Sequence, residues 1–348
     1  MKISKRDLLA RFITRINLPE YYLGFANKVS RPTLTVLTYH RVLDINREKY
    51  LFDEGVVSAS SSKFERQIRY IKKNFTPLSF SLLKMYLEKE NGIPKNSLII
   101  TFDDGYKDNY EIAYPILKKY NVPATFFLTT NFIGERKLFW WDKVAYIVKN
   151  TTKDLIMIEQ PEKIVLPIRT TMEKLSTINS LLKIIKSMPD ERKEQFIKDL
   201  ATRLKVKINE SEFCYTLDWS EVRKMSQNGI EMGSHSENHP VFTNVNDEVL
   251  KNEIVNSKKK LKEEICSDVL AFSCPGGRPS TLDEKADFSK KIKTFLKDAA
   301  YSFCTTYIRG KNNLKGFDCY RIKRICIELE DSFQVFKGKI LFPYLIRY

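Results

Sequence analysis

Seven short apolar runs constrain this chain more than any other feature. They occupy residues 34–39, 98–102, 124–129, 229–234, 269–274, 302–306 and 320–328, each bounded by turn-forming or polar residues. Runs of this length and composition read as strands buried on both faces, the pattern of a parallel sheet. Helical periodicity separates several of them. After the fourth run, Leu250, Ile254, Leu261 and Ile265 share one helix face, with Asn246 or Asp247 suited to cap it, and Lys258, Lys259 and Lys260 are read on its polar side. Seven strands alternating with helices predict an α/β protein whose sheet closes, or nearly closes, into a barrel.

Three segments stand outside this rhythm. Residues 136–215 are charged and helical in pattern: Met172, Leu175, Ile178, Leu181 and Ile185 keep a 3.6-residue period, and Phe196, Leu200 and Leu204 continue it after Pro189. They are expected to form a helical insertion over or beside the barrel mouth, so that the barrel domain covers 33–330. Residues 1–32 carry Leu8, Leu9, Phe12, Ile13 and Ile16 among Lys2, Lys5, Arg6, Arg11 and Arg15, a basic amphipathic helix. The tail 331–348 mixes Phe336, Leu341, Phe342, Tyr344 and Leu345 with Lys337, Lys339 and Arg347. Either end could pack on the barrel or lie on an anionic membrane surface.

Chemistry enters where the runs end. Asp103 and Asp104 follow the second run, His235 and His239 follow the fourth, and His40, the only other histidine, follows the first. Polar side chains at strand C-termini line the active sites of barrels built this way. Two histidines four residues apart can point both imidazoles at one ion, and a carboxylate from Asp103 or Asp104 would complete a three-ligand set with open positions. Such a set suits zinc and also iron, cobalt or nickel. Adjacent residues at a strand end point in different directions, so one aspartate can hold the ion while the other accepts a proton. Gly105 permits the sharp exit that this turn requires.

The net charge of +16 admits a nucleic acid, an anionic membrane or an anionic substrate. A nucleic-acid role is not expected, because no recognised binding module is present. The six cysteines form no C-x-x-C pair and read as reduced, which suggests the cytoplasm. No stretch approaches the ~20 apolar residues of a spanning helix. Asp7 and Arg11 interrupt the apolar run that a signal peptide needs, so the expected location is cytoplasmic, peripheral at the inner face of the membrane.

Thr-Phe-Asp-Asp-Gly-Tyr at 101–106, Ser-His-Ser-Glu-Asn-His at 234–239 and Phe-Ser-Cys-Pro-Gly-Gly at 272–277 resemble the first three motifs of the polysaccharide deacetylases, carbohydrate esterase family 4. The resemblance covers 33–135 and 216–328. It implies a distorted (β/α)7 barrel, here with a helical insertion, and hydrolysis of acetamide groups on amino sugars with a divalent metal, Zn2+ first and Co2+ or Ni2+ as alternatives. Asp103 would be the general base, Asp104, His235 and His239 the metal ligands, and the backbone N–H of Gly276 an oxyanion donor.

The chain departs from the family pattern twice. Ser273 replaces the arginine of the third motif, leaving Arg278, Arg321 or Arg324 to orient the base; Arg324, in Tyr-Arg-Ile-Lys-Arg at 320–324, is chosen. No histidine follows His239 to serve as the acid. The permuted branch of the family carries that histidine before the first motif, which Tyr39-His40-Arg41-Val42 matches, so His40 would protonate the departing amine. Trp140 and Trp141 are candidates to stack on sugar faces, whereas Trp219 reads as core. The expected partner is an N-acetylated amino-sugar glycan or a lipid-linked saccharide. A catalytically impaired glycan-binding relative and an amide hydrolase acting on a non-sugar substrate are the alternatives.

Overall fold

The computed structural model describes Leu8 and residues 33–345 apart from 90–91, 159–163 and 277–285. The predicted helix over 1–32 lies outside the described residues except at Leu8, as do Gly277, Arg278 and Arg347. Each apolar run forms a strand: β1 Thr33–Tyr39, β2 Ser97–Phe102, β3 Thr125–Leu128, β4 Glu231–Ser234, β5 Ala271–Ser273, β6 Phe303–Arg309 and β7 Ile322–Cys326. Each strand pairs in parallel with the next, and β7 pairs back with β1, so the sheet closes in sequence order. This is a (β/α)7 barrel. It is distorted because β6 and β7 are joined without a helix, by a loop whose strand Asn312–Asn313 runs antiparallel to β1.

Side chains alternate across each strand, which sorts them into two cores. Leu34, Val36, Ile99, Phe127, Ala271, Phe303 and Ile322 form the inner cluster, which reaches Phe80 and Leu83 of a helix, Phe80–Glu88, in the β1–β2 connection. Gly233 faces the Phe127 ring, and a Cβ there would approach it to 2.4 Å, so only glycine fits. The neighbouring residues Leu37, Tyr39, Leu98, Ile100, Phe102 and Phe126 join an outer cluster beneath the surrounding helices. Phe102 and Phe126 stack there at 4.4 Å.

We label the helices that concern the site in chain order: α1 Trp140–Asn150, α2 Thr171–Ser187, α3 Asp190–Arg203 and α4 Asp247–Ile265. The segment 136–215 contains α1, α2 and α3 and also an antiparallel hairpin, Leu155–Ile158 with Ile164–Pro167, that helical periodicity did not predict. It has its own apolar cluster, including Trp141, Ile147, Leu181, Ile185 and Leu200. Met172, placed on the apolar stripe from sequence, is 76% exposed near the start of α2. Asn246 caps α4, as its position suggested. Lys258 does not lie on the polar side of α4. It is buried, donates to the Ala300 carbonyl at 2.6 Å and covers the Tyr301 ring. The tail folds as a helix, Phe333–Leu341, with Phe336, Ile340 and Leu341 in the outer core. Among the described residues no helix is long and apolar enough to cross a membrane.

Candidate active site

The alternation that fills the barrel with apolar side chains ends in a polar layer at the strand C-termini. Two positions beyond Thr101, and two beyond Ile322, the inward positions are Asp103 and Arg324. Arg324 Nη1 donates to Asp103 Oδ1 at 2.8 Å and Nη2 to Oδ2 at 2.9 Å, while its Nε donates to the Thr306 carbonyl. Burial would raise the Asp103 carboxyl, but the facing guanidinium holds it well below the usual carboxylate range. Of the candidate arginines, Arg324 is thus the one that pairs with Asp103, and the Ser273 hydroxyl lies 3.4 Å from Asp103 Oδ2. Of the other candidates, Arg321 is exposed and Arg278 lies outside the described residues.

Asp104 turns away from its neighbour, toward the two histidines. Its Oδ1 is 3.4 Å from His235 Nε2 and 3.4 Å from His239 Nε2, and one donor atom from each of the three residues lies within 4.8 Å of the others. His235 Nδ1 meets the Ser273 carbonyl at 2.8 Å, which fixes its proton there and leaves Nε2 bare. Burial keeps both imidazoles neutral, lowering His235 to about 4 and His239 to about 3. Both Asp104 oxygens and His235 Nε2 are buried without a hydrogen-bond partner. Converging lone pairs of this kind are costly unless a cation is shared among them. The donor set fits a divalent metal with open coordination positions.

Backbone conformation aims these groups. Asp104, Ser236 and His239 have φ of 78°, 68° and 57°, a left-handed conformation that costs about 1–3 kcal/mol per residue. Gly105 follows at 85°, where a Cβ would meet Ile133 at 2.8 Å. The surroundings hold these turns. Asp103 N–H donates to the Tyr39 carbonyl and His235 N–H to the Leu128 carbonyl. The loop between the histidines is fixed from α4, where buried Glu253 accepts from the N–H groups of Glu237 and Asn238, both at 2.8 Å.

His40 leaves the end of β1 half-buried, its carbonyl accepting from Asn109 Nδ2. Its Nε2 is 3.4 Å from the Tyr307 hydroxyl, which lies 3.3 Å from Asp103 Oδ2. One phenol thus links His40 to Asp103. Tyr307 was missed from sequence because the sixth run was ended at 306, whereas β6 continues to Arg309. Burial lowers His40, and the carboxylates of Asp104 and Asp103 partly offset this. His40, Asp104, His239, Tyr307 and Gly276 share a cleft of about 450 Å³. Trp140 and Trp141 line it too; Trp141 Nε1 donates to the Tyr106 hydroxyl and its ring meets His239 at 4.8 Å. Trp219 packs against the outer core.

A second buried network ties the insertion to the barrel, and no motif signalled it. Arg41 Nε donates to Asp108 Oδ2 at 2.7 Å, its Nη1 donates to the hydroxyls of Tyr50 and Tyr215, and its guanidinium lies over the Tyr106 and Tyr215 rings at 4.7 Å. The Tyr106 hydroxyl donates to Asp142 of α1, which also accepts from the Asp53 N–H. Burial raises the Asp142 carboxyl to about 7.

Known proteins resemble this chain in sequence and in fold. The family model described as polysaccharide deacetylase matches residues 90–160 and 183–301, over half of the chain. A poly-beta-1,6-N-acetyl-D-glucosamine N-deacetylase of Staphylococcus aureus is 37% identical over 127 residues, 34% of this chain and 43% of that protein. The match thus spans less than half the length of that curated relative. The fold is that of the Streptococcus pyogenes deacetylase PplD, solved in complex with acetate, with a TM-score of 0.58 at 17% identity over 89% of this chain and 99% of that one. IcaB from Ammonifex degensii gives 0.53 at 17% identity, over 88% and 95%. The sequence match and the closed seven-stranded barrel lead to one assignment: this chain belongs to the polysaccharide deacetylase family.

Proposed function

We propose that the protein hydrolyses N-acetyl groups on an amino-sugar glycan, polymeric or lipid-linked, using a divalent metal held by Asp104, His235 and His239. One observation carries the reading: three uncompensated donor groups converge beside a carboxylate, Asp103, that Arg324 keeps ionised. When bound, such a cation acts as a Lewis acid and lowers the pKa of water toward neutrality. Asp103 accepts the proton of the attacking water. Tyr307 and Arg324 fix the carboxylate so that proton transfer requires no rearrangement. The Gly276 N–H stabilises the developing oxyanion, an effect typically worth ~3 kcal/mol. His40 Nε2 delivers a proton to the departing amine, and acetate and a free amino sugar leave. Trp140 and Trp141 give the cleft an apolar wall that limits water beside the reacting group. The named activity of the Staphylococcus aureus relative supports a polymer of N-acetylglucosamine as one substrate.

The test is acetate release from acetylated hexosamine oligomers by protein loaded with zinc, cobalt or nickel. Asp103→Asn should retain its metal and lose turnover; normal activity in that variant refutes the assignment of the base. Oligosaccharide binding without acetate release under every metal would instead identify a glycan-binding protein.

A further inference from the structure

We propose that Asn109 and Ser58 are positioning residues that aim His40 at the departing amine by holding its main chain. The inference rests on the proposed function and adds the groups that place its acid. The other two imidazoles are held through their rings: His235 Nδ1 meets the Ser273 carbonyl at 2.8 Å, and the His239 ring packs on Trp141 at 4.8 Å. Among the described residues the His40 ring has one hydrogen-bond neighbour, the Tyr307 hydroxyl at 3.4 Å. A contact of that length does not fix a ring. The direction of the His40 side chain is therefore set by its backbone.

Strand β1 ends at Tyr39, and both main-chain groups of His40 then turn to side chains instead of the barrel ladder. Its N–H donates to Ser58 Oγ at 2.9 Å, and its carbonyl accepts from Asn109 Nδ2 at 2.8 Å. Ser58 and Asn109 are both buried. Asp108 extends the grip along the chain: its Oδ1 accepts the Val42 N–H at 2.9 Å and its Oδ2 accepts from Arg41 Nε at 2.7 Å. Asp108 and Asn109 follow shortly after Asp103 in sequence, so the segment that carries the base also holds the acid.

Two features of Asn109 are not explained by stability. It opens a π-helical turn, Asn109–Ala113, in which the Tyr114 N–H reaches back to the Asn109 carbonyl. Widened turns of this kind are uncommon and concentrate at functional sites. Its side chain is fully buried, yet Oδ1 has no hydrogen-bond partner among the described residues. An amide with one half unsatisfied is a costly choice for a core position. Its donor half, spent on the His40 carbonyl, accounts for the choice. Releasing that carbonyl would let the His40 backbone rotate and carry Nε2 out of the ~2.6–3.2 Å range that proton transfer requires.

The experiment measures acetate release from an N-acetylglucosamine oligomer by the metal-loaded full chain. Asn109→Ala and Ser58→Ala are each made alone and together with His40→Ala. Alone, each should lower kcat about tenfold and leave KM within about twofold. In the His40→Ala background neither should lower kcat further, because the group they aim is already gone. A merely structural role would lower both backgrounds alike. Ser58→Ala, which deletes a single hydroxyl, keeps the test open should Asn109→Ala fail to fold. Equal losses in the two backgrounds, or an unchanged kcat in the folded single variants, overturns the inference. If the parent protein releases no acetate with any metal, the proposed function fails instead, and NMR of 15N-histidine-labelled protein decides the positioning. The His40 ring resonances should shift and broaden in the single variants while those of His235 and His239 stay in place; unmoved His40 resonances overturn the inference.

Discussion

Replacing Arg324 with alanine isolates what the buried ion pair contributes. Arg324 and Asp103 are both fully buried and joined by two charge-assisted hydrogen bonds of 2.8 and 2.9 Å. Removing one member of such a pair leaves a charge stranded, at a cost of about 3–5 kcal/mol. The released carboxylate would no longer be held below the usual range. Burial would dominate and push its pKa upward, each tenfold loss of acidity costing about 1.4 kcal/mol. A general base contributes roughly 10²–10⁴-fold to rate, so acetate release near neutral pH should fall by at least about 10²-fold. The acidic limb of the pH–rate profile should move to higher pH, so that part of the activity returns in alkaline buffer. Metal content should be unchanged, because the Arg324 hydrogen bonds run to Asp103, Thr101 and Thr306 and not to the three donor residues. The assay pairs kcat against pH with cobalt absorption and urea denaturation. Arg324→Lys keeps the charge but not the fork and should fall between. A rate within about threefold of the parent with an unmoved acidic limb would refute the argument.

Other perturbations test neighbouring parts of the site. Tyr307→Phe removes the hydroxyl between His40 and Asp103 and should lower kcat about tenfold with little change in KM, read from initial rates. Chelation should lower the melting temperature of the metal-loaded protein. A metal at a hundred times its Kd contributes about 2.7 kcal/mol, and His239→Ala should abolish this difference. Asp142 has a folded-state pKa raised by burial to about 7 from 3.8, so the folded state holds its proton more tightly. Its contribution is present below pH 3.8 and is lost as pH rises through about 7; Asp142→Asn should flatten the urea-derived stability curve across that window, by at most about 4 kcal/mol.

The barrel was readable from sequence because strands buried on both faces leave unbroken apolar runs, and all seven runs became barrel strands. The residues of the first two motifs were readable for a different reason: Asp103, Asp104, His235 and His239 are the polar exceptions that stop such runs. Long-range pairing was less accessible. Arg324 was one of three candidate arginines, and only closure of β7 onto β1 brings it to Asp103. Tyr307 was hidden by a strand longer than its apolar run. The hairpin at 155–167 consists of two short strands whose outward Leu155, Met157 and Val165 are exposed, so it shows no polar alternation. Lys258 was placed on the helix surface by its charge, although its stem and ammonium cover Tyr301. The Arg41–Asp108 pair links residues 67 positions apart and leaves no local pattern.

The left-handed turns at Asp104, Ser236 and His239 have one more implication. They are secured by main-chain bonds to adjacent strands and by the Glu253 side chain. A cage already in shape does not have to refold around its occupant, so replacing one metal with another need not remodel the polypeptide, even though any bound ion adds its binding energy to the stability of the folded state. Exchange between cobalt, nickel and zinc should therefore be reversible in the native protein, and differences in turnover among the loaded forms would reflect the ions themselves.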